Sequence, residues 1–285
     1  MQIKVLMLGT GTPQLNPHRC GSAHLIQIGD DKIMIDCGYG AVRRMAENNI
    51  RIHDVHKLLF THHHYDHNVD FPSFVLHGRS GRKTPLNIYG PTGTEKLAKD
   101  LFENGSFTID LHNRLSRAIV EGTVLTGTED IDAGFVMEGD TWKLTAERAD
   151  HFTVNGNYTL AYRIDTDDGS VCFSADTIPC EGVAKLAKGA DVLIHEVFWR
   201  PDAGQDGRRP YGEKDVKPEV WAQSRLTKHS LPEEVKKVAH EAGVGRLVLT
   251  HLFTDEHLDE LTGYVQEGLE CEVILGADHM TFTSG

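Results

Sequence analysis

Short apolar runs separated by turn residues dominate the first part of the chain, a pattern typical of β-strands. Each run holds about five residues rich in Ile, Leu, Val or Phe, and Gly, Asp or Asn residues stand between the runs. Apolar residues then recur with helical spacing at 41–48 and 95–102, which predicts a helix at each place. The predicted strands of this part are 3–8, 24–28, 32–35 and 57–60.

Strands return in the middle of the chain, and beyond Pro179 they alternate with helices. Strand-rich and mixed segments thus occur in both halves of the sequence. This order predicts an α/β fold in which two sheets pack face to face with helices outside them, a four-layer αββα sandwich, although other layered α/β architectures fit the same order. The later predicted strands are 135–146, 158–164, 170–173, 191–195, 246–250 and 271–275.

The length of 285 residues is compatible with one layered α/β domain, so we predict a single domain over residues 1–285. The longest stretch without periodicity, 200–225, is rich in Gly, Pro, Arg and Asp. Long loops in compact domains often serve function. We therefore expect either a lid or substrate loop at 200–225 or a solvated surface excursion.

Charge and composition narrow the classes of partner and compartment. The 29 basic and 42 acidic residues give a net charge of −13, which disfavours a nucleic-acid partner. No apolar run approaches the roughly 18 residues of a membrane span, and the N-terminus has the pattern of a strand and a turn rather than a signal peptide. The five cysteines show no paired spacing. These features predict a protein of the cytoplasm without disulfides, and they leave open whether it forms a homodimer.

The 17 histidines are the unusual feature of the composition, and four of them stand in residues 61–67, which read THHHYDH. In an extended segment His62 and His64 point to the same side, so one metal ion can bind both. A following turn would bring Asp66 and His67 to a second point nearby, as two-metal hydrolases require. A histidine-rich surface loop and a closed structural zinc site are the alternatives. Nitrogen and oxygen ligands without cysteine favour a catalytic site over a structural one.

The sequence T-H-x-H-x-D-H at 61–67 resembles the signature of the metallo-β-lactamase superfamily. The resemblance to its ribonuclease Z-like branch extends over nearly the whole chain, because further motifs follow in the expected order at 8–12, 35–38, 174–177, 194–196, 228–230 and 249–251. It implies two divalent metal ions. We expect zinc, although His and Asp ligands also suit manganese and iron. The implied ligands are His62, His64 and His151 for one ion and Asp66, His67 and His251 for the other, with Asp176 between them.

The same resemblance implies that His229 protonates the leaving group or stabilises the transition state, and that Glu196 supports it. Asp66 would then serve turnover as well as metal binding. The supporting segment of the branch reads H-E-A-T, and only the first two residues of 195–198 match it. Ser230 and Glu233 have the spacing of a capping box, so His229 is expected directly before a helix. The alternative interpretation makes His229 a helix flank and Glu196 a surface carboxylate.

Two further acidic residues, Asp36 and Asp278, are candidates for orienting a metal-binding imidazole. The sequence does not choose between that role and ordinary turn chemistry. The remaining histidines outside these motifs are expected on the surface or in packing positions, His24 among them.

Two metal ions that share a hydroxide can hydrolyse phosphodiesters, sulfate esters, lactones or amides. Members of the ribonuclease Z-like branch cut the 3′ end of precursor tRNA and usually carry a long arm between the ligands equivalent to His151 and Asp176. Only 24 residues lie between them in this chain. We therefore predict a small-molecule substrate, a cyclic or aryl phosphodiester or an aryl sulfate. The alternatives are a lactone or β-lactam hydrolase, a hydrolytic dehalogenase, a tRNA 3′-processing endonuclease and a non-catalytic metal-binding module.

Overall fold

The computed structural model describes residues 1–79, 81–103, 127–151, 158–199 and 228–285. Within these ranges the strands form two sheets of seven strands each. The strands are β1 (Lys4–Gly9), β2 (Ala23–Ile28), β3 (Asp31–Ile35), β4 (Lys57–Leu59), β5 (Asn87–Gly90), β6 (Gly127–Asp130), β7 (Val136–Glu138), β8 (Trp142–Ala149), β9 (Thr159–Thr166), β10 (Gly169–Phe173), β11 (Val192–Glu196), β12 (Arg246–Thr250), β13 (Glu272–Leu275) and β14 (Thr281–Thr283).

Each sheet joins an antiparallel half to a parallel half. The first sheet has the order β14-β1-β2-β3-β4-β5-β6, and its strands from β3 to β6 run parallel. The second has the order β13-β12-β11-β10-β9-β8-β7, and its strands from β10 to β13 run parallel. Because parallel strands end at the same edge, the carboxyl ends of β10, β11 and β12 lie side by side.

Three apolar clusters fill the spaces between layers. One lies between the sheets and draws residues such as Val5, Ile33, Tyr162 and Ile194 from both of them. The other two lie between each sheet and the helices outside it. This arrangement confirms the predicted αββα sandwich.

The helices are α1 (Ala41–Glu47), α2 (Tyr65–Asn68), α3 (Phe71–Gly78), α4 (Thr94–Phe102), α5 (Glu181–Ala187), α6 (Pro232–Ala242) and α7 (Leu258–Gln266), with a 3₁₀ turn at Ile52–Asp54. None of these described helices has the length and apolar character needed to cross a bilayer.

Two local predictions were wrong in detail. The predicted strand 135–146 is a hairpin, β7 and β8, in which the Gly139 N–H donates to the Trp142 carbonyl at 2.9 Å. Helix α6 begins later than the Ser230 spacing suggested, because Pro232 takes the first helical position, where a missing N–H costs nothing. The Leu231 N–H donates to Glu234 at 2.8 Å instead. The predicted lid or substrate loop at 200–225 lies outside the described residues.

Contacts between the sheets hold the histidine-rich segment in place. The Tyr162 hydroxyl, on β9, donates to the carbonyl of Phe60 at 2.7 Å. The Leu160 N–H donates to the carbonyl of Thr61 at 2.8 Å. The second sheet therefore supports the backbone from which the candidate metal ligands of the first sheet project.

His24 is an unusual polar side chain in this core. It is fully enclosed on β2, and its ring packs edge-on against Phe173 of β10 at a centroid distance of 5.6 Å. Neither ring nitrogen has a hydrogen-bond partner within the described part of the chain. Burial, followed by the charge of nearby His67, lowers the pKa of His24 to about 3. His24 is therefore a packing residue that folding keeps neutral.

This burial predicts a pH-dependent stability. Below pH 6.5 the unfolded chain binds a proton at His24 and the folded chain does not. The free energy of unfolding therefore falls as the pH drops toward 3. Between pH 7 and pH 5 the loss from this residue is about 2 kcal/mol. Urea unfolding of wild type and His24→Leu, each with the same metal content, should show that difference in pH dependence.

The control for this prediction is His240→Leu, at an exposed histidine of α6. Its pH dependence should match that of wild type, because that side chain stays in water on folding. Equal pH dependence in wild type and His24→Leu would contradict the prediction.

Candidate metal centre

The segment after β4 carries three consecutive histidines. Their side chains alternate in direction, as an extended backbone requires. The Nε2 atom of His62 lies 3.0 Å from Nδ1 of His64, so these two side chains converge. His63 turns the other way, where its Nε2 is 2.9 Å from the Thr94 hydroxyl. Helix α2 begins directly after His64. Its single turn brings the next polar pair, Asp66 and His67, into the interior.

A first cluster forms around the converging rings of His62 and His64. Nε2 of His151, which follows β8, lies 3.3 Å from Nδ1 of His64. Oδ2 of Asp176, which follows β10, lies 3.9 Å from Nε2 of both His62 and His151. Of these four residues only His64 is exposed. The cluster therefore opens to solvent on the side of His64.

A second cluster lies beside the first and shares Asp176 with it. Oδ2 of Asp66 is 3.5 Å from Nε2 of His67 and 3.4 Å from Nε2 of His251, which follows β12. The two carboxylate oxygens of Asp176 lie 3.5 Å from Nε2 of His67 and 3.3 Å from Nε2 of His251. The structure thus brings together all seven residues that the resemblance implied, from both sheets.

The donor atoms of both clusters fit divalent metal ions. Around a tetrahedral ion with bonds of about 2.0–2.1 Å, ligand atoms stand about 3.3 Å apart, close to the spacing of these nitrogens and oxygens. Oδ1 of Asp66 and Nε2 of His67 are also buried without a hydrogen-bond partner in the described chain. Buried polar atoms of this kind normally have a partner, and a metal ion would supply one for each.

Burial sets the protonation of the first cluster. It is the main cause that lowers the pKa of His62 well below its usual value, and it likewise lowers the pKa of His64. The pKa of His151 falls to about 4 for the same reason. These three imidazoles are therefore neutral at pH 7, which is the form that binds metal.

Opposite charges set the protonation of the second cluster. Burial opposes the charged form of Asp176, but His251 and His67 outweigh it and hold the pKa of that carboxyl well below its usual range. Burial likewise opposes a charge on His67, yet Asp176, Asp36 and Asp66 raise its pKa well above the usual value. A metal ion entering this cluster would displace the proton of His67, so binding should release a proton.

Neighbouring groups orient the ligand rings. Asp36, directly after β3, lies 2.7 Å from Nδ1 of His67 and accepts from the Thr61 N–H at 2.7 Å. Nδ1 of His151 lies 2.8 Å from the carbonyl of Lys228. Both contacts leave Nε2 aimed at the centre. Asp278, the other candidate for this role, instead accepts from Thr10, Cys20 and Arg44 and holds the loop after β1.

The backbone is strained at three positions around the centre. Asp36, Ala175 and His251 have φ values of 58°, 58° and 57°, the left-handed region that residues other than glycine rarely adopt. Strain of this kind costs of order 1–3 kcal/mol per residue and persists where the surroundings enforce it. At Asp36 and His251 it turns a strand-end side chain toward the metal site. At Ala175 it does so for the next residue, Asp176.

His229 lies against both clusters and is paired with a buried carboxylate. Its Nδ1 is 3.1 Å from each carboxylate oxygen of Glu196, the last residue of β11. Glu196 also accepts from the Thr177 N–H at 2.9 Å, and the Ser230 hydroxyl donates to the Thr177 carbonyl at 2.7 Å. Glu196 is buried, so the alternative of a surface carboxylate does not describe it, and His229 is buried beside it.

The ring of His229 is enclosed by other rings. Its centroid lies 5.0 Å from that of His151 and 5.3 Å from that of His251. Phe198 stacks on it at 6.4 Å, and Phe253 contacts it edge-on at 5.7 Å. The two phenylalanines, both buried, give this side of the ring an apolar surrounding. No motif in the sequence indicated them.

Comparisons with known proteins agree with this geometry. The model of the family described as "Anti-Pycsar protein Apyc1" matches residues 3–204. A ribonuclease Z of Mycolicibacterium gilvum (strain PYR-GCK) is 30% identical over 258 residues, which cover 87% of this chain and 84% of that protein. The chain belongs to the Apyc1 family and is a ribonuclease Z-like protein of the metallo-β-lactamase superfamily.

Solved structures show the same fold. The metallo-β-lactamase fold protein YhfI of Bacillus subtilis has a TM-score of 0.73 at 20% identity, covering 99% of this chain and 100% of its own. A diphosphatase of the PhnP family has a TM-score of 0.67 at 16% identity, covering 98% and 97%. The predictions of the superfamily and of a metal-dependent hydrolase are confirmed, and the His and Asp clusters mark this Apyc1-family chain as a binder of divalent metal.

Residues of the second cluster give the sharpest test of the ligand assignment. In Asp66→Asn or His251→Gln the second cluster loses a candidate ligand, so we expect the bound metal to fall by about one ion per chain and hydrolysis to fall by about a hundredfold or more. Metal analysis by mass spectrometry after gel filtration measures the first effect. Asp167→Asn, at an exposed aspartate between β9 and β10, is the control. Full metal content and activity in either ligand variant would refute the assignment.

Proposed function

We propose that this protein is a dinuclear metal-dependent phosphodiesterase of small substrates, cyclic or aryl phosphodiesters. The observation that carries the proposal is the shared carboxylate of Asp176, which lies within 3.9 Å of imidazole nitrogens in both clusters. Two divalent ions held in this way, zinc being the best match to the donor set, would supply an activated water and neutralise the charge on the phosphoryl group.

The residues of the chain would hold the ions and keep their own rings in position. His62, His64 and His151 would hold one ion, Asp66, His67 and His251 the other, and Asp176 both. Their fixed rings would hold the ions without rearranging during the reaction. Asp36 and the Lys228 carbonyl preserve that orientation from behind the centre.

His229 would act on the leaving group. Glu196 holds Nδ1, so Nε2 is the nitrogen through which the ring would give a proton to the departing oxygen as the P–O bond breaks. Its ring lies against those of His151 and His251, one from each cluster. A proton donor in that position would lie beside a phosphoryl group held at either cluster.

The relatives' names favour phosphorus over sulfur or carbonyl chemistry. A ribonuclease acts on phosphodiester bonds, and a diphosphatase acts on a phosphoric anhydride. We therefore place phosphodiesters ahead of aryl sulfates, lactones and β-lactams.

A tRNA 3′-processing endonuclease is the second candidate, because the relatives named ribonuclease Z match most of this chain. Those names weigh against the expectation that nucleic acid is not a substrate. Against RNA, the described part of the interval between His151 and Asp176 is taken up by β9, β10 and the turn between them. The net charge of −13 also disfavours a long polyanion.

A substrate panel separates these functions. The protein, loaded in turn with Zn²⁺ and Mn²⁺, is assayed on bis(p-nitrophenyl) phosphate, a 2′,3′-cyclic nucleotide, p-nitrophenyl phosphate, p-nitrophenyl sulfate, a lactone, a β-lactam and precursor tRNA. We expect the highest kcat/KM on the small diesters, because two ions can neutralise the phosphoryl charge and no long anion has to be gripped. Preferred, salt-sensitive cleavage of precursor tRNA would refute the small-substrate proposal. Absence of hydrolysis with either metal would refute the proposed phosphodiesterase activity.

The proposed role of His229 predicts a dependence of kcat on the leaving group. His229→Gln should lower kcat about a hundredfold or more on a diester with a poor leaving group such as phenol, and much less with p-nitrophenol, whose oxygen needs no proton. Metal content should remain that of wild type. His240→Gln, at the exposed histidine of α6, is the matched control. Loss of metal in His229→Gln would make His229 a ligand, contrary to the proposed role.

A further inference from the structure

His251 differs from His67, the other histidine of the second cluster, in what holds its ring. Nδ1 of His67 lies 2.7 Å from the carboxylate of Asp36. Nδ1 of His251 is buried and has no hydrogen-bond partner among the described residues, and the carboxylate of Glu196 is 4.0 Å away from it. The direction of the His251 ring therefore depends mainly on its backbone, which adopts the left-handed conformation with a φ of 57°.

The loop after β1 holds the backbone that follows His251. The Leu252 N–H donates to the carbonyl of Thr10 at 2.9 Å. Thr10 is fully buried, and its hydroxyl donates to Asp278 at 2.9 Å. Because that hydroxyl has a single hydrogen, its oxygen can only accept in a second contact. Arg19 supplies the donor, since its Nη1 lies 2.7 Å from the Thr10 hydroxyl oxygen.

The guanidinium of Arg19 also reaches the chain on both sides of His251. Its Nη1 donates to the carbonyl of Gly276 at 2.7 Å, and the Gly276 N–H donates to the carbonyl of Leu249, on β12, at 2.7 Å. Its Nε donates to Asp255, in the segment after β12, at 2.6 Å. Arg19 is buried although it is charged, with 7% of its surface exposed. A planar guanidinium can make these directed hydrogen bonds at once, whereas the ammonium group of a lysine is a point charge.

We propose that Arg19 is a positioning residue of the metal centre, which fixes the backbone around His251 and thereby sets the affinity of the second cluster for its ion. This inference rests on the proposed function, because it requires an ion in each cluster. Loss of a group that orients a metal ligand commonly costs about ten- to a hundredfold in metal affinity. The imidazoles of the first cluster belong to other segments, so the affinity of that cluster should change far less.

Zinc retention tests this without any turnover. The full chain, loaded with zinc, is equilibrated in buffers of decreasing free Zn²⁺, and the zinc retained per chain gives a dissociation constant for each ion. His251→Gln shows which constant belongs to the second cluster. Arg19→Gln should weaken that ion by about tenfold or more and leave the other within about twofold of wild type. Arg19→Lys keeps the charge without the planar fork, so its affinity should lie between those of Arg19→Gln and wild type.

Arg163→Gln is the matched control. Arg163, on β9, makes contacts of the same kind as Arg19, because its Nε donates to Asp165 at 2.8 Å and its Nη1 donates to the carbonyls of Leu186 and Lys188 at 2.7 and 2.8 Å. The two carbonyls lie at the end of α5, on the helix side of the second sheet. Urea unfolding should show a loss of stability in both glutamine variants. Only Arg19→Gln should also change a zinc dissociation constant.

The outcomes separate this inference from the proposed function. Unchanged zinc affinities in Arg19→Gln, or equal weakening of both ions, would overturn the inference and leave the two-ion proposal standing. If wild type retains a single zinc ion per chain, the proposed function fails, and this inference fails with it.

Asp255→Asn decides the matter if Arg19→Gln does not fold. The Asp255 side chain is 36% exposed, so its substitution should be tolerated better than that of the buried Arg19. It removes one of the charged partners of the guanidinium, and we expect it to weaken the same ion by a smaller factor. Unchanged zinc affinities in Asp255→Asn would then overturn the inference.

Discussion

The buried carboxylate of Asp176 is the group on which the metal centre depends. A carboxylate that is 3% exposed is costly to bury unless positive charge surrounds it. Here imidazole nitrogens of His62, His67, His151 and His251 lie within 3.9 Å of its oxygens. Without metal, a proton on His67 supplies the compensating charge. Two divalent ions would do so far more completely, and this difference favours metal binding.

The sandwich places one supporting carboxylate behind each side of the centre. Asp36 follows β3 of the first sheet and orients His67 and the Thr61 backbone. Glu196 ends β11 of the second sheet and orients His229 and the Thr177 backbone. The candidate metal ligands and the proposed proton donor thus receive equivalent support from opposite sheets. Because both carboxylates are buried and multiply hydrogen-bonded, the rings in front of them are held rigidly.

The substrate side of the centre has a different character. The described chain between His151 and Asp176 is a tight hairpin, and His64 is the exposed residue of the first cluster. The described part of this interval therefore holds no long arm. The ribonuclease Z relatives share the scaffold of this chain, and the surface around the metal centre is where substrate preference can differ within one scaffold.

The sequence by itself determined most of the elements and the types of candidate ligand. Alternation and short apolar runs located the strands, and the spacing in THHHYDH showed that His62 and His64 converge while His63 does not. Motifs in family order then implied the distant ligands. These features depend on residues close in the chain or on a signature, so they can be predicted without coordinates.

Only the tertiary structure decided which distant groups meet. Asp66 and His251 are 185 positions apart, and the packing of the two sheets against each other brings their side chains to 3.4 Å. Asp36 orients a ligand whereas the chemically identical Asp278 holds a loop, and the Ser230 hydroxyl bonds to Thr177 instead of capping a helix. In each case the partner comes from another strand or loop. The sequence shows which groups are available, but sheet pairing and packing determine which of them share one buried space.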